Sequence, residues 1–220
     1  MILASNKQFV IAENAECLFS TSFISIDLSN IDTSNIENLD SAFKDSIAKE
    51  IKLKGIDTSN VRRMAETFKN SNVRELDLSH LDLSNVYRIN GLFETSNIKK
   101  LKFCNNSTSN LKRCHSTFSG CIMTELDISI DIAEDASMEG MFAWSQIDRL
   151  NLNFKNPLNI GRIYEMFGFA VIKNLKLNNF RLSDKFDDKD LQSMFHRSEI
   201  ENLETDNDRI RQAYINRRKY

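Results

Sequence analysis

Phenylalanine recurs along this chain at a nearly constant interval. Eight of the fifteen phenylalanines follow one another at steps of 24 to 28 residues, and they are Phe19, Phe43, Phe68, Phe93, Phe118, Phe142, Phe167 and Phe195. A fixed period of this length is the sequence signature of a repeat architecture, in which each unit packs on its neighbours. The chain is therefore expected to fold as a stacked array of repeats.

A second periodic feature is a pair of apolar residues separated by one polar residue. The pairs are Ile26/Leu28, Ile51/Leu53, Leu76/Leu78, Leu101/Phe103, Leu126/Ile128, Leu150/Leu152 and Leu175/Leu177. Alternation of apolar and polar residues is typical of a strand with one buried face. Each repeat thus predicts a short strand, and successive repeats predict a parallel sheet along one side of the array.

Apolar residues also recur at intervals of three and four after a polar turn in each repeat. The turn Asp57-Thr58-Ser59-Asn60 is followed by Val61, Met64 and Phe68, a spacing typical of the inward stripe of a short helix. Cys114 occupies the position of Met64 in its own repeat, so we expect it in the core. The segment Val73-Arg74-Glu75-Leu76-Asp77-Leu78 follows the strand pattern Leu-x-x-Leu-x-Leu of leucine-rich repeats. The predicted fold is therefore an α/β solenoid of leucine-rich-repeat type, with about seven to eight strand-turn-helix repeats of ~25 residues and a parallel sheet on one face.

The two ends differ from the middle of the chain. A solenoid needs its terminal apolar surfaces covered, and residues 1–20 resemble an incomplete repeat that caps the N-terminal end. We expect the solenoid to occupy residues 1–203 and a C-terminal capping helix or tail to occupy residues 204–220. The tail carries acidic residues early and basic residues late, as the helix dipole favours. A basic tail that contacts a partner is the alternative.

Composition excludes several classes of protein. The formal net charge is -2, which provides no general attraction for nucleic acid. No apolar run is long enough for a signal peptide or a membrane span, so we expect a cytoplasmic protein without membrane insertion. Four cysteines are far below the density of a disulfide scaffold, and reduced thiols are expected.

The sequence offers no chemistry for catalysis. The three histidines occupy different positions within their repeats and belong to no recognised catalytic pattern. Cys104, Cys114, His115 and Cys121 lack the paired cysteine spacing of a structural zinc site. The sequence therefore predicts a protein that is not an enzyme and that uses no cofactor and no metal.

Several repeat segments resemble the BspA-like leucine-rich repeats. The segment Leu76-Asp77-Leu78-Ser79-His80-Leu81-Asp82-Leu83-Ser84-Asn85-Val86 follows the pattern of that family closely, as do Asp57-Thr58-Ser59-Asn60-Val61-Arg62-Arg63-Met64 and Phe118-Ser119-Gly120-Cys121. The resemblance recurs in register over roughly 27–203. It implies a leucine-rich-repeat fold and, by analogy with bacterial surface proteins of the family, an adhesive role at the cell surface.

Stacked repeats turn sequence positions into surface columns. The residues between the paired aliphatics alternate in charge, in the order Asp27, Lys52, Asp77, Lys102 and Asp127, which predicts cross-strand ion pairs. Another column places an asparagine in the polar turn just before each predicted helix, at Asn35, Asn60, Asn85, Asn110 and Asn159. Asparagine at such a turn is expected to hydrogen-bond to backbone groups.

One column does not alternate. Lys49, Arg74 and Lys99 place three basic residues along one edge of the sheet, beside Glu50 and Glu75. Because neighbouring like charges are destabilising, this edge is the best candidate for a function. The candidate partner-binding residues are Lys49, Arg74, Lys99, Glu50, Glu75, Lys100, Asp77, Lys102 and Asp127.

The predicted function is recognition of another protein through the sheet face and its edges. An intracellular immunity protein or inhibitor that masks a target is the expected role, and a surface-associated adhesin or host-directed binding protein is the alternative. No nucleic acid partner is expected, and the chain itself is expected to be a monomer or a weak oligomer. An insertion around 184–188, where the last phenylalanine step lengthens to 28 residues, is expected to be a tolerated loop, and partner binding is its alternative.

Overall fold

The chain winds into a parallel-strand β-solenoid of about seven turns with little helix. The structure, a computed structural model, describes residues 9–10, 13–19, 25–103, 108–156, 160–180 and 182–217. We call each turn of the solenoid a coil. The predicted solenoid with a parallel sheet is confirmed at this level.

The strands and helices are short and follow one another in a regular order. They are β1 (Phe9–Val10), β2 (Ser25–Asp27), β3 (Ile31–Asp32), β4 (Glu50–Lys52), β5 (Glu75–Asp77), β6 (Lys100–Lys102), β7 (Ile122–Ile130), β8 (Ala136–Ser137), β9 (Gln146–Phe154), β10 (Ile160–Arg162), β11 (Val171–Asn178), α1 (Asp188–Ser193), β12 (Glu199–Thr205) and α2 (Asp208–Asn216).

The paired aliphatic residues form the main sheet. Strands β2 and β4 pair in parallel, as do β5 and β6, while β7, β9, β11 and β12 form a four-stranded sheet. Equivalent residues lie opposite one another, with Ile26 beside Ile51 and Leu76 beside Leu101. The short strands bury their central residue and expose the two flanking residues. The predicted register is therefore confirmed in these strands.

The predicted helix in each repeat is not confirmed. In its place the segment after the polar turn makes two successive tight turns, and residues such as Glu66 (φ 56°) and Asn70 (φ 54°) adopt the left-handed conformation. The backbone N–H of Met64 donates to the Arg88 carbonyl at 2.9 Å, and that of Phe68 donates to the Leu92 carbonyl at 2.8 Å. These bonds join adjacent coils, whereas an α-helix would keep them within one segment and would require right-handed residues throughout.

The phenylalanines form a continuous stack through the core. The eight rings predicted from the period lie face to face, with centroids 5.0 to 5.5 Å apart and interplanar angles of 3 to 17°. All eight are buried, and Phe93 has no exposed surface. Burial of one such ring contributes about 1.5–3 kcal/mol before the entropic cost of ordering it. The predicted ladder is confirmed and forms the axis of the core.

The asparagine column links one coil to the coil before it. The Nδ2 group of Asn60 donates to the Ser34 carbonyl at 2.8 Å, and that of Asn85 donates to the Ser59 carbonyl at 2.7 Å. Asn110 makes the equivalent bond to the Ser84 carbonyl at 2.6 Å, while Asn159 lies outside the described residues. The predicted backbone role of these amides is confirmed at the three positions.

Three cysteines in the described part of the chain are free thiols. Cys114 and Cys121 are buried, and Cys17 is exposed, while Cys104 lies outside the described residues. The core position predicted for Cys114 is confirmed. Burial raises the pKa of the Cys114 thiol to about 12 and that of the Cys121 thiol to about 11. Both groups are therefore neutral near pH 7 and unreactive in the folded chain.

The C-terminal end of the solenoid carries the two helices. Helix α1 begins at Asp188, at the end of the insertion around 184–188, and is capped by Asp187, whose carboxylate accepts hydrogen bonds from the backbone N–H groups of Lys189 and Asp190. Helix α2 lies within the segment where the sequence predicts a helix, and it packs on α1 and β12. Much of the expected N-terminal capping unit, residues 1–20, lies outside the described residues.

Candidate functional site

The open face of the main sheet carries the columns of charge that the sequence predicts. Because Asp77 lies beside Lys102 in the β5–β6 register, the two side chains meet, with Nζ of Lys102 3.1 Å from Oδ2 of Asp77. Lys52 contacts a different acid, since its Nζ lies 3.6 Å from Oε1 of Glu50 on the same strand. The predicted cross-strand pairing is therefore confirmed at Asp77 and Lys102, while Lys52 is satisfied along its own strand.

The neighbouring column of the sheet face is also paired. Nζ of Lys100 lies 3.0 Å from Oε1 of Glu75, and Arg149 contacts Glu125 one coil further on. Asp127 is exposed and lies opposite Asn151 in the register. Most of the exposed charges at the centre of this face thus have an opposite charge beside them within the chain, and each such exposed pair contributes only about 0–1 kcal/mol.

The edge of the sheet where its strands begin differs from the centre. Lys49, Arg74 and Lys99, which we call the basic lip, directly precede β4, β5 and β6. The backbone N–H of Lys99 donates to the Arg74 carbonyl at 2.7 Å, which fixes these two residues on adjacent coils. Lys49 and Arg74 are exposed.

The basic lip lacks internal counter-charges. Among the residues that the structure describes, neither Lys49 nor Arg74 has a carboxylate within 4.0 Å, since Glu50 contacts Lys52 and Glu75 contacts Lys100. Nζ of Lys99 donates to the backbone carbonyl of Ile122 at 3.0 Å. Within the described ranges, the lip therefore presents basic groups that have no carboxylate partner, which is the arrangement that attracts an acidic partner.

Further along the same edge the charges are paired again. Nζ of Lys173 lies 2.6 Å from Oδ1 of Asp148, and this hydrogen bond raises the pKa of the Lys173 ammonium group. The positive edge is thus confined to the coils that carry Lys49, Arg74 and Lys99. Of the nine predicted binding residues, the structure leaves Lys49 and Arg74 as the exposed basic groups of this edge and joins Glu75, Lys100, Asp77 and Lys102 in pairs.

Sequence reasoning missed a second column of basic residues. Arg63, Arg88 and Arg113 form consecutive parallel bridges on another side of the solenoid. Their spacing of 25 residues was a visible signal. Asp40 lies between two of them, with Oδ2 3.7 Å from Nε of Arg63 and 3.9 Å from Nη1 of Arg88. This internal carboxylate makes the arginine column a weaker candidate than the basic lip.

Sequence reasoning also missed an exposed aromatic pair. The Trp144 ring stacks on the Phe169 ring, with centroids 4.1 Å apart and planes inclined by 4°. The Trp144 side chain is 61% exposed, whereas most of the surface of a tryptophan is buried in the average folded protein. The signal in the sequence was a column of small or polar residues, Asp45, Asn70, Thr95 and Gly120, that becomes aromatic at Trp144 and Phe169.

The described residues offer no grouping of metal ligands. Within the described ranges, no three His, Cys, Asp or Glu side chains lie close enough together to hold an ion. His80 bonds through Nε2 to the Leu53 carbonyl at 2.8 Å, and His196 lies edge-on to the Phe169 ring. No helix of the described chain is long and apolar enough to cross a membrane.

Comparison with known proteins yields one family. The family described as "Mycoplasma protein of unknown function, DUF285" matches residues 13–131 and again residues 98–208. No curated protein and no solved structure matches the chain significantly. The two matches together run through nearly all of the solenoid, in agreement with a repeated unit.

Proposed function

We propose that this chain, which belongs to the DUF285 family, is a non-enzymatic module that binds another protein through the basic lip and the adjoining sheet face. The single observation that carries the proposal is the contrast between the two surfaces. The sheet face pairs its charges, as in Asp77 with Lys102, while Lys49 and Arg74 have no carboxylate within 4.0 Å among the described residues.

The physical argument rests on the cost of stacking like charges. Basic side chains on neighbouring strands repel one another, and a purely structural surface would relieve the repulsion by alternation, as the column that contains Lys52, Asp77 and Lys102 does. An acidic surface of a partner would supply the missing counter-charges and would also accelerate association. The proposed partner therefore presents carboxylates, and binding weakens as salt screens them.

We further propose that the repeat is of the BspA-like leucine-rich type. The strand segments Leu76-Asp77-Leu78 and the asparagine that closes the turn support this relationship, because Asn60 and Asn85 tie each turn to the coil before it. Within this framework the role we favour is that of a cytoplasmic immunity protein or inhibitor that masks an acidic surface of its target.

The test is a pull-down with the full chain at about 50 mM and about 500 mM NaCl. The higher salt concentration screens charges, so it weakens binding that depends on charge and leaves other binding largely unchanged. The variant carries Lys49→Glu and Arg74→Glu together. The matched control carries Lys155→Glu and Lys189→Glu, which change the net charge equally at exposed positions outside the lip.

We expect the wild-type chain and the control to retain the same partner at low salt, and the lip variant to lose it. Equal retention by the lip variant at low salt would show that the lip does not bind the partner. Recovery of the partner from the cell surface, and not from the cytosol, would replace the inhibitor role with the adhesive role implied by the family resemblance.

A further inference from the structure

The aromatic residue Trp144 lies in a column whose described members all have a left-handed backbone conformation. The column contains Asp45, Asn70, Thr95, Gly120, Trp144, Phe169 and Arg197, and each has a φ between 50 and 68°. Asp, Asn and Gly accept this conformation readily, whereas a bulky side chain there is unusual and costs about 1–2 kcal/mol. Trp144 and Phe169 therefore occupy positions that backbone stability disfavours.

One side of the aromatic pair is closed. Phe169 covers one face of the Trp144 indole, the His196 ring meets Phe169 edge-on at 5.2 Å, and the Arg197 guanidinium carbon lies 5.7 Å from the Phe169 ring centroid. The coils beyond Trp144 thus build a stack that ends in a positive charge.

The other face of the indole looks onto the coil of Gly120, which has no side chain. The N–H of Gly120 donates to the Ala143 carbonyl at 2.8 Å, and that of Trp144 donates to the Gly168 carbonyl at 2.9 Å, so these positions lie on successive coils. A Cβ atom placed on Gly120 would lie 3.1 Å from Cγ2 of Thr95. The Thr95 methyl group therefore already approaches the Gly120 position closely on one side, and we call the space between this methyl group and the indole of Trp144 the slot.

The usual spacing of stacked coils gives the slot the width of about one planar group. Two coil steps separate Thr95 from Trp144, which is about 10 Å at the usual strand separation. An aromatic ring that stacks at van der Waals distance on the indole fits within that span. The neighbouring Ile122 side chain is 51% exposed and adds apolar surface at the same corner.

The charges at the two ends of this corner are both positive. Nζ of Lys99 donates to the carbonyl of Ile122 at 3.0 Å, and Arg197 closes the far end over Phe169. Lys99 is also the last member of the basic lip, so the slot continues the surface that we assign to the partner. A ligand that places an aromatic ring in the slot would have Lys99 on one side and, on the other side, Arg197 beyond the rings of Trp144 and Phe169.

We propose that the slot over Gly120 binds an aromatic side chain from an acidic segment of the protein partner, with the ring stacked on Trp144 and carboxylates facing Lys99 and Arg197. This inference rests on the proposed function and names the partner's chemistry. Aromatic anchors in such pockets carry much of the energy of many protein interfaces, while the surrounding charges orient the partner.

The test uses the intrinsic fluorescence of Trp144, which is the single tryptophan of the chain. The probe is a capped peptide of sequence Asp-Glu-Phe-Glu-Asp, which itself contains no tryptophan. One control peptide replaces Phe by Ala, and another, Asn-Gln-Phe-Gln-Asn, removes the negative charges. We expect a saturable change in Trp144 emission with the acidic Phe peptide and at least about tenfold weaker binding of each control, equivalent to about 1.4 kcal/mol.

A protein variant fills the slot without removing the reporter. Gly120→Asn places at this position the residue that Asn70 already provides in the same backbone conformation. We expect it to bind the peptide at least about tenfold more weakly. Unchanged thermal unfolding and an unchanged emission spectrum of the free variant show that the fold and the Trp144 environment are preserved.

Several results would overturn the proposal. If the Ala peptide binds as tightly as the acidic Phe peptide, the slot does not bind an aromatic side chain. If the uncharged peptide binds as tightly, the carboxylates do not contribute to binding. A larger response to a neutral oligosaccharide or a single-stranded oligodeoxynucleotide assigns the slot to another ligand class. No response to the peptide up to about 1 mM, together with normal retention of the protein partner by Gly120→Asn, rejects the slot and leaves the proposed function of the lip intact.

Discussion

Tyr214 lies edge-on to Phe195, with ring centroids 5.3 Å apart and planes inclined by 71°, whereas the eight rings of the ladder lie face to face. Its hydroxyl donates to the Ile200 carbonyl at 2.6 Å and accepts from the Ile200 N–H at 2.8 Å. Helix α2 thus closes the last rung of the ladder and also satisfies the backbone of the last strand.

Replacing Tyr214 by Ala should destabilise the chain by about 2–4 kcal/mol, because the ring contact and both hydrogen bonds are lost. Tyr214→Phe keeps the ring and should cost only about 1–2 kcal/mol. Urea unfolding followed by circular dichroism measures both values. Ile215→Ala, at an exposed position of the same helix, is the control, and a Tyr214→Ala effect no larger than that control would mean that α2 does not close the ladder.

A rung in the middle of the ladder should matter at least as much. Phe93 stacks between Phe68 and Phe118 and has no exposed surface, so Phe93→Ala should cost about 3–5 kcal/mol. Tyr87, at a partly exposed position, offers a comparison in which truncation to Ala should cost well under that amount. Chemical denaturation of the two variants checks the difference, and a loss below about 1 kcal/mol for Phe93→Ala contradicts the ladder as the axis of the core.

Thiol reactivity should report the burial of the cysteines. In a Cys104→Ser background, Cys17 is exposed and should react with a disulfide reagent within seconds to minutes, while Cys114 and Cys121 should react only on unfolding. Their raised pKa values remove the reactive thiolate near pH 7, and the Cys121 thiol also donates to the Phe93 carbonyl at 2.9 Å. Fast reaction of more than one thiol in the folded protein would contradict this arrangement.

The carboxyl group of Asp77 should titrate far below its usual range. The Ser79 hydroxyl and backbone N–H both donate to it, and together with Lys102 they lower its pKa to about 2. Because the folded pKa is lower than the unfolded value of about 3.9, this carboxylate contributes stability that is fully present above about pH 4 and is lost as pH falls toward 2.

Carboxyl NMR titration measures this pKa directly. Ser79→Ala should raise the pKa of Asp77 toward 3.8, because it removes the largest cause of the depression. Lys102→Gln removes a smaller cause and should raise it less. A larger shift from Lys102→Gln than from Ser79→Ala would show that the ion pair, and not the serine, controls this carboxyl group.

The solenoid was predictable because two different residue patterns in the sequence repeat with the same period. Phe68 and Phe93 recur with the pairs Ile51/Leu53 and Leu76/Leu78, and a shared period fixes both the stacking and the register. The same pattern could not show that the predicted helix in each repeat is absent. Two tight turns also bring Met64 and Phe68 to the same side, and the bonds that distinguish them from a helix run between coils.

The left-handed positions give a second reason for that failure. Glycine normally signals such a backbone, yet in this chain Glu66, Asn70 and Thr95 adopt it as well.

In the candidate site, the columns followed from the register, so the sequence placed Lys49, Arg74 and Lys99 together. Pairing of Lys52 with Glu50 depends on the side-chain conformation chosen by each residue, which the register does not specify.

The aromatic slot could be found from the sequence only by comparing equivalent positions of successive repeats, and not by searching for a motif. Nothing near Trp144 in the sequence marks a binding site, and the slot exists because Gly120 precedes it by one coil and Phe169 follows it by one coil. Sequence positions 24 or 25 residues apart must be compared before such a surface becomes visible.

The bonds between successive coils have a consequence for how the chain acquires its shape. Met64 is hydrogen-bonded to Arg88 on the following coil and Asn60 to Ser34 on the preceding coil, so each coil is held by its neighbours in the chain. In the part of the chain that the structure describes, no hydrogen bond between backbone groups joins the two ends of the solenoid. Winding can therefore begin while the ribosome is still delivering the later coils, and each newly emerged phenylalanine extends the stack by one ring.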